Sequence, residues 1–294
     1  MIIDDLRLTY EKNRQENTMF VRNLLKEQLQ YFVLNHIYNS AYANSFVFKG
    51  GTCLRFCFDL PRLSEDLDFD VANFKSFSFE DFSNSLLKYF HSKLVFKDVT
   101  IKISGQNKMM YLRFPVLQEI GYPVNPDKPN DNVLFVRIDL APLTGHRYNK
   151  EISLKSTYDF SFLIRRYSLP DLFAGKLLAV LQRQTKEGVK IEPRFKGRDY
   201  FDIYWFLENK ALINFEYLTS LSNIKSRWEL QQKFDEKINQ ALKRKQFLKN
   251  DLLPFFQEPK FVTDFINNMN KFDWTLFHSK QRLRSGLLKP VGKI

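Results

Sequence analysis

The sequence predicts an α+β fold, a mixed sheet flanked by helices and followed by a mainly helical C-terminal region. Three observations carry this prediction. Short apolar runs that alternate with polar residues, bounded by Gly, Pro, Asn and Asp, concentrate before residue 145. After Tyr148 apolar positions recur mostly at helical spacing. The chain has 294 residues, 44% of them hydrophobic, enough for one large domain or two ordinary ones with packed cores. The change of character divides it into an α+β part, residues 1–148, and a mainly helical part, residues 149–294.

Residues from about Asp4 to Asn39 read as helix, with Phe20, Leu24, Leu25, Leu29, Phe32 and Val33 along an apolar stripe. "SFVFKGG" is an apolar run stopped by two glycines, a strand entering a turn. "TCLRFCFDL" follows as a short helix that Pro61 ends. "EDLDFDV" alternates strictly and reads as a strand. "SFEDFSNSLLKYFHSKL" reads as helix, with Ser78 as cap and Glu80 and Asp81 in its first turn. "LVFKDVTIKIS", "MMYLRFPVL" and "NVLFVRIDLA" are strand candidates, the last two joined by the loop "GYPVNPDKPND". "SLPDLFAGKLLAVLQRQ" opens on Pro170, which suits a first helical turn, and "GRDYFDIYWFLEN" is a further helix. From about Ile213 the pattern is helical, with basic clusters such as "LKRKQFLK". No internal repeat or low-complexity segment is present.

Lys plus Arg is 45 against Asp plus Glu at 33, a formal charge of +12. That balance suits a polyanionic partner, although a lysine-rich solvated surface gives the same sum. Cys53 and Cys57, with four scattered His, offer no Cys/His zinc pattern. Their thiols fit a reducing cytoplasm. The opening "MIIDDLRLTYEKNRQEN" lacks the apolar core of a signal peptide. No apolar run approaches the ~18–20 residues that cross a bilayer. The expectation is a cytoplasmic protein with no membrane association.

Chemistry concentrates at two places in the first half. On the strand "EDLDFDV", Asp66, Asp68 and Asp70 project from one face while Leu67, Phe69 and Val71 face the core and Glu65 points away. Carboxylates so close repel, and divalent cations or long basic side chains relieve them. Alone, the pattern also fits a charged edge strand. The second place is Gly50-Gly51-Thr52, where a strand meets a helix start. Glycines let the backbone approach a ligand, and a helix N-terminus presents N–H groups to phosphate.

Gly-Gly-Thr at a helix start, thirteen residues, then Asp-x-Asp on a strand resembles the first motif of the nucleotidyltransferase (polymerase-beta-like) superfamily. Within it, Lys49-Gly50-Gly51-Thr52 and Arg62-Leu63-Ser64-Glu65-Asp66-Leu67-Asp68-Phe69 are most similar to the AbiEii/AbiGii toxins of abortive-infection, type IV toxin–antitoxin systems. The later motifs agree. Lys176-Leu177-Leu178-Ala179-Val180-Leu181-Gln182-Arg183 matches the family's second motif, and its two cations share a helix face. Arg198-Asp199-Tyr200-Phe201-Asp202-Ile203-Tyr204-Trp205 matches the third, with Asp199 and Asp202 neighbours on the helix. Tyr204 and Trp205 are expected in the core. Asp139, in "VRIDLA", is the weakest match, to a third carboxylate on a neighbouring strand.

The resemblance implies a nucleotidyltransferase-like sheet and transfer of a nucleotidyl group from an NTP. Asp66 and Asp68 would hold Mg²⁺ or Mn²⁺, and Asp139, or alternatively Asp199 or Asp202, would be the third acidic residue of the metal or base site. Gly50, Gly51, Thr52 and Ser64 would bind phosphates, with Lys176 and Arg183 from the helical half. Asp199 would act with Lys176 in catalysis, and Asp202 and Arg198 would support them. Asp70 is left as a spare. RNA, in particular tRNA, is the first expected acceptor, bound by basic clusters at Lys243–Lys245 and Arg282–Arg284. A protein acceptor is second, and a cognate antitoxin is a further expected partner. The rival readings are a non-catalytic nucleic-acid- or protein-binding toxin-like module, and a metal-dependent nuclease.

Overall fold

The computed structural model describes residues 2–104, 109–157, 160–187, 190–193 and 195–277. Two helices open the chain, α1 Ile2–Asn13 and α2 Thr18–Tyr38. A single helix from Asp4 to Asn39 was expected. Asn17 breaks it, because its side chain accepts from the N–H groups of Met19 and Phe20 and so caps α2. Strand β1 (Phe46–Lys49) runs into α3 (Gly50–Phe58), and β2 (Asp66–Val71) returns antiparallel beside β1. Helix α4 (Phe79–Lys88) is capped by Ser78, as its sequence predicts.

Strands β3 (Thr100–Ser104), β4 (Met109–Phe114) and β5 (Leu134–Pro142) follow. Strand character was expected to end there. Instead β6 (Lys150–Ser156) and β7 (Ser161–Tyr167) join the same seven-stranded sheet, in the order β3-β4-β5-β2-β1-β7-β6. Residue 148 therefore falls between two strands of one sheet. The sheet is mixed: β2 lies parallel to β5 and β1 parallel to β7, and the other pairs are antiparallel.

Alternation sorts the sheet into two faces. One carries Phe46, Phe48, Leu67, Phe69, Met110, Leu112, Val136 and Ile138, all buried in the main core with α2 and α4. Phe69 stacks on Phe48 at 5.0 Å and meets Phe46 edge-on at 5.3 Å. The other face carries Lys49, Asp66, Asp68, Asp70, Arg137 and Asp139, in register across β1, β2 and β5.

The helical half begins with α5 (Leu169–Gln182). A short hairpin of β8 (Gln184–Glu187) and β9 (Lys190–Pro193) leads to α6 (Gly197–Glu208). Then come α7 (Phe215–Ser220), α8 (Arg227–Leu242), α9 (Lys245–Leu252) and α10 (Pro259–Asn268). Tyr204 packs against Phe265, Phe272 and Trp274, and Trp205 against Phe206, so both belong to the hydrophobic packing, as expected. Among the described residues, no helix is long and apolar enough to cross a membrane.

Candidate active site

The turn between β1 and α3 shapes the site. Gly50 has φ +79°, in the left-handed region that suits glycine, and a Cβ there would fall 2.9 Å from Asp68 Cγ. Only a bare backbone can pass the Asp68 carboxylate so closely. Gly51 has a different constraint: a Cβ would fall 2.6 Å from Arg62 Nη2. Lys49, at the N-cap, gives α3 no side-chain cap. The first-turn N–H groups thus keep their capacity for a ligand. Gly50 and Gly51 line a cavity of about 540 Å³ with Asp68, Asp70, Lys176 and Arg183.

Thr52 and Ser64, expected at the phosphates, have partners within the chain. Both are buried. Their hydroxyls share a hydrogen bond at 2.8 Å, and Thr52 also donates to the Asp66 carbonyl. They tie the start of α3 to the entry of β2. Glu65 also differs: it sits before β2, bonds Lys26 at 3.2 Å and Arg198 at 3.1 Å, and lines a recess together with Asp66.

Asp66, Asp68 and Asp139 come together on the open face, with Asp68 opposite Asp139 and Asp66 opposite Arg137. Burial, and then the charges of Asp66 and Asp139, push the Asp68 carboxyl up to about 6. Burial also raises Asp66, with help from Glu65 and Asp139 and against the pull of Arg137. Asp139 is engaged by Arg137, with an N–O distance of 2.6 Å. Among the described residues, no group of three or more His, Cys, Asp or Glu side chains is arranged to hold a metal. The donor set therefore offers a pair, Asp66 and Asp68, that no basic side chain contacts within ion-pair distance among the described residues. Such a pair fits Mg²⁺ or Mn²⁺, which bind hard oxygen ligands. Mg²⁺ takes one or two carboxylates and completes its shell with phosphate and water.

Behind the cavity lies a chain of alternating charges. Arg62 donates to both Asp202 carboxylate oxygens at 2.6 Å, and both side chains are buried. Lys176 stands 2.8 Å from Asp202 and 3.3 Å from Asp199, and Arg183 stands 3.0 Å from Asp199. Burial works against the Lys176 charge, but Asp202 and Asp199 outweigh it and hold its pKa above the usual lysine value. Lys176 is thus fixed rather than a mobile point charge. Summed over Arg62, Asp202, Lys176, Asp199 and Arg183, the chain keeps one net positive charge. Arg198 reaches away from this cluster to Glu65 and Asp251, and lies over the Phe255 ring at 4.3 Å.

Asp70 is no spare. It is buried, takes Lys49 Nζ at 2.5 Å, and accepts from the Tyr167 hydroxyl at 2.6 Å. Burial and the Asp70 charge drive the Tyr167 pKa far upward, so this hydroxyl stays a donor. Lys49, Arg137 and Tyr167 are site neighbours that the sequence reading gave no role. For Lys49 the signal was its place at the end of β1, across from Asp68. Tyr167 left none, because its strand was not foreseen. Lys243 lies on the surface and Lys245 is half-buried, bonding the Asn267 carbonyl at 3.1 Å. Arg282–Arg284 lies outside the described residues.

A family model described as "Nucleotidyl transferase AbiEii toxin, Type IV TA system" matches residues 33–276. No curated protein matches the chain. Among solved structures, JHP933 of Helicobacter pylori is similar at 16% identity and a TM-score of 0.42, covering 85% of this chain and 90% of that one. A second H. pylori structure, provisionally named a nucleotidyltransferase, gives 16% identity and a TM-score of 0.42, covering 84% and 92%.

Proposed function

Because the chain belongs to the AbiEii family of nucleotidyltransferase toxins of type IV toxin–antitoxin systems, we propose that it transfers a nucleotidyl group from an NTP to a hydroxyl of an RNA. One observation supports this most: Asp68, which no basic side chain among the described residues contacts within ion-pair distance, lines the same cavity as Lys176 and Arg183. Carboxylates facing cations across a gap suit a nucleoside triphosphate with its counter-ion.

In this reading Asp66 and Asp68 would hold the divalent ion, and the chemistry it would supply there is neutralisation of phosphate charge and polarisation of the acceptor hydroxyl. The bare N–H groups at Gly50 and Gly51 bind phosphate oxygens. Lys176 and Arg183 offset charge on the departing pyrophosphate. Asp199 and Asp202 do not touch the substrate. They hold the two cations in place, with Arg62 behind them. Asp139 is the third acidic residue, on the strand next to Asp68. A cognate antitoxin is the expected regulatory partner, in keeping with the family.

The test is incubation with each α-labelled NTP, Mg²⁺ and total RNA. Label should enter RNA, lengthening it by one or a few nucleotides, and Asp66→Asn and Asp68→Asn should remove the signal. Full labelling by Asp68→Asn overturns the assignment. Shortened RNA points to a nuclease, and label in protein moves the acceptor class.

A further inference from the structure

We propose that the open face of β3, β4 and β5 is the acceptor track, on which a single-stranded RNA end lies across Tyr111 and Phe135 with its terminal hydroxyl at Asp66. The proposal rests on the transfer reading above and adds where the acceptor binds and in what form.

Register places the residues. Lys102 lies opposite Tyr111, Tyr111 opposite Arg137, and Arg137 opposite Asp66. This row runs from the edge strand to the carboxylates, three strand spacings or about 14 Å. In the adjoining row Arg113 lies opposite Phe135. All of these side chains share the face of Asp66 and Asp68. Their neighbours in sequence, Leu112, Leu134 and Val136, fill the core behind them.

Two aromatic rings therefore stand half-buried on this face, outside the hydrophobic core formed by the described residues. Each has a guanidinium beside it: Arg137 lies 6.0 Å from the Tyr111 centroid and Arg113 5.6 Å from the Phe135 centroid. Aromatic rings and guanidinium planes are the surfaces on which unpaired bases stack. The rings form a ridge between two recesses. One, about 380 Å³, holds Asp66 with Lys196 and Arg198; the other, about 300 Å³, holds Lys102 and Arg113. Among the described residues, no acidic side chain lines the outer recess. In the inner one Glu65 is already matched by Lys26 and Arg198. Burial, and then the charges of Arg198 and Arg183, lower the Lys196 pKa against the pull of Asp199 and Asp66. Cations flanking stacking rings select a polyanion with exposed bases. A duplex keeps its bases covered.

The full chain should be titrated, without NTP, into a fluorescein-labelled single-stranded RNA 12-mer and into the same sequence as a blunt duplex. Anisotropy should show the single strand bound about tenfold or more tightly. Tyr111→Leu should weaken it about tenfold, the loss of one base–aromatic stack. Tyr111→Phe should keep the affinity, and Arg113→Glu should weaken it and flatten the salt dependence. Lys243→Glu, in the other basic cluster, should change little. Equal affinity for the duplex overturns the proposal. So does a change of less than twofold in Tyr111→Leu, a loss confined to Lys243→Glu, or stronger competition by polyglutamate than by RNA. In turnover, Tyr111→Leu should raise KM for RNA and leave KM for NTP unchanged. If RNA is labelled normally and that KM does not move, the track fails and the transfer reading survives. If wild type labels no RNA but binds single strands through Tyr111, the transfer reading fails and the track stands.

Discussion

Replacing Asp68 by Asn should stabilise the protein at neutral pH while abolishing transfer. The Asp68 carboxyl titrates near 6 rather than its ordinary 3.8, because burial and the charges of Asp66 and Asp139 disfavour ionisation. Each tenfold change in proton affinity is worth ~1.4 kcal/mol, so at pH 7 the ionised side chain costs the fold up to roughly 3 kcal/mol. Native Asp68 holds its proton more tightly than the unfolded chain does. Wild type therefore loses stability as pH climbs from about 4 through about 6. Asn has the same shape and no such titration. The gain of Asp68→Asn should be near zero at about pH 4, widen across that interval, and level off above it. Urea unfolding in EDTA, followed by circular dichroism and fluorescence together, measures it. Mg²⁺ should then narrow the gap by stabilising wild type alone. An Asn variant no more stable than wild type at about pH 7, or a gain of equal size at every pH, refutes the reasoning.

Three further outcomes are expected. Asp202→Ala strands a buried guanidinium and takes from Lys176 its nearer carboxylate, and should cost about 3–5 kcal/mol in urea unfolding, whereas Arg62→Met with Asp202→Leu should recover part of it, with Lys176 left on Asp199 alone. Gly50→Ala places a methyl against the Asp68 carboxylate at a positive φ; transfer should fall at least about tenfold, measured by label incorporation, with stability lowered by ~1–3 kcal/mol. Thr52→Val removes the donor to the Asp66 carbonyl and should cost about 1–3 kcal/mol by thermal or urea unfolding.

The residues that carry local rules were legible. Gly50 declared a special turn, Ser78 a helix cap, and Asp66 with Asp68 a common face, each from neighbours within a few positions. What escaped depends on distance or on inverted patterning. Strand β6 has Ile152 and Leu154 exposed at 61% and 67% while Ser153 and Lys155 are half-buried opposite Ile164 and Phe162, so its alternation reads backwards. Strand β7 carries Arg165 and Arg166 beside Ile164, and the charges hid a run whose Phe162 and Ile164 are buried. The bond between Arg62 and Asp202 spans 140 positions, and no periodicity reports such a pairing. The same holds for Tyr167 on Asp70. The bond between Thr52 and Ser64 was hidden too, because a hydroxyl near a glycine turn serves equally well to bind a phosphate or to tie the chain to itself.

The Arg62–Asp202 bond also sets a clock. A ribosome delivers Arg62 140 residues before its partner, a delay of roughly 7 to 28 seconds at ~5–20 residues per second. Throughout that interval Lys176 and Arg183 are absent or lack their α6 carboxylates, and the guanidinium meant for the interior has nothing to close on. An incomplete chain that stops before α6 carries the acidic strand without the framework that aims the cations at it. For a member of a toxin family, the ordering leaves a nascent or truncated product without an assembled site until its second half has been made.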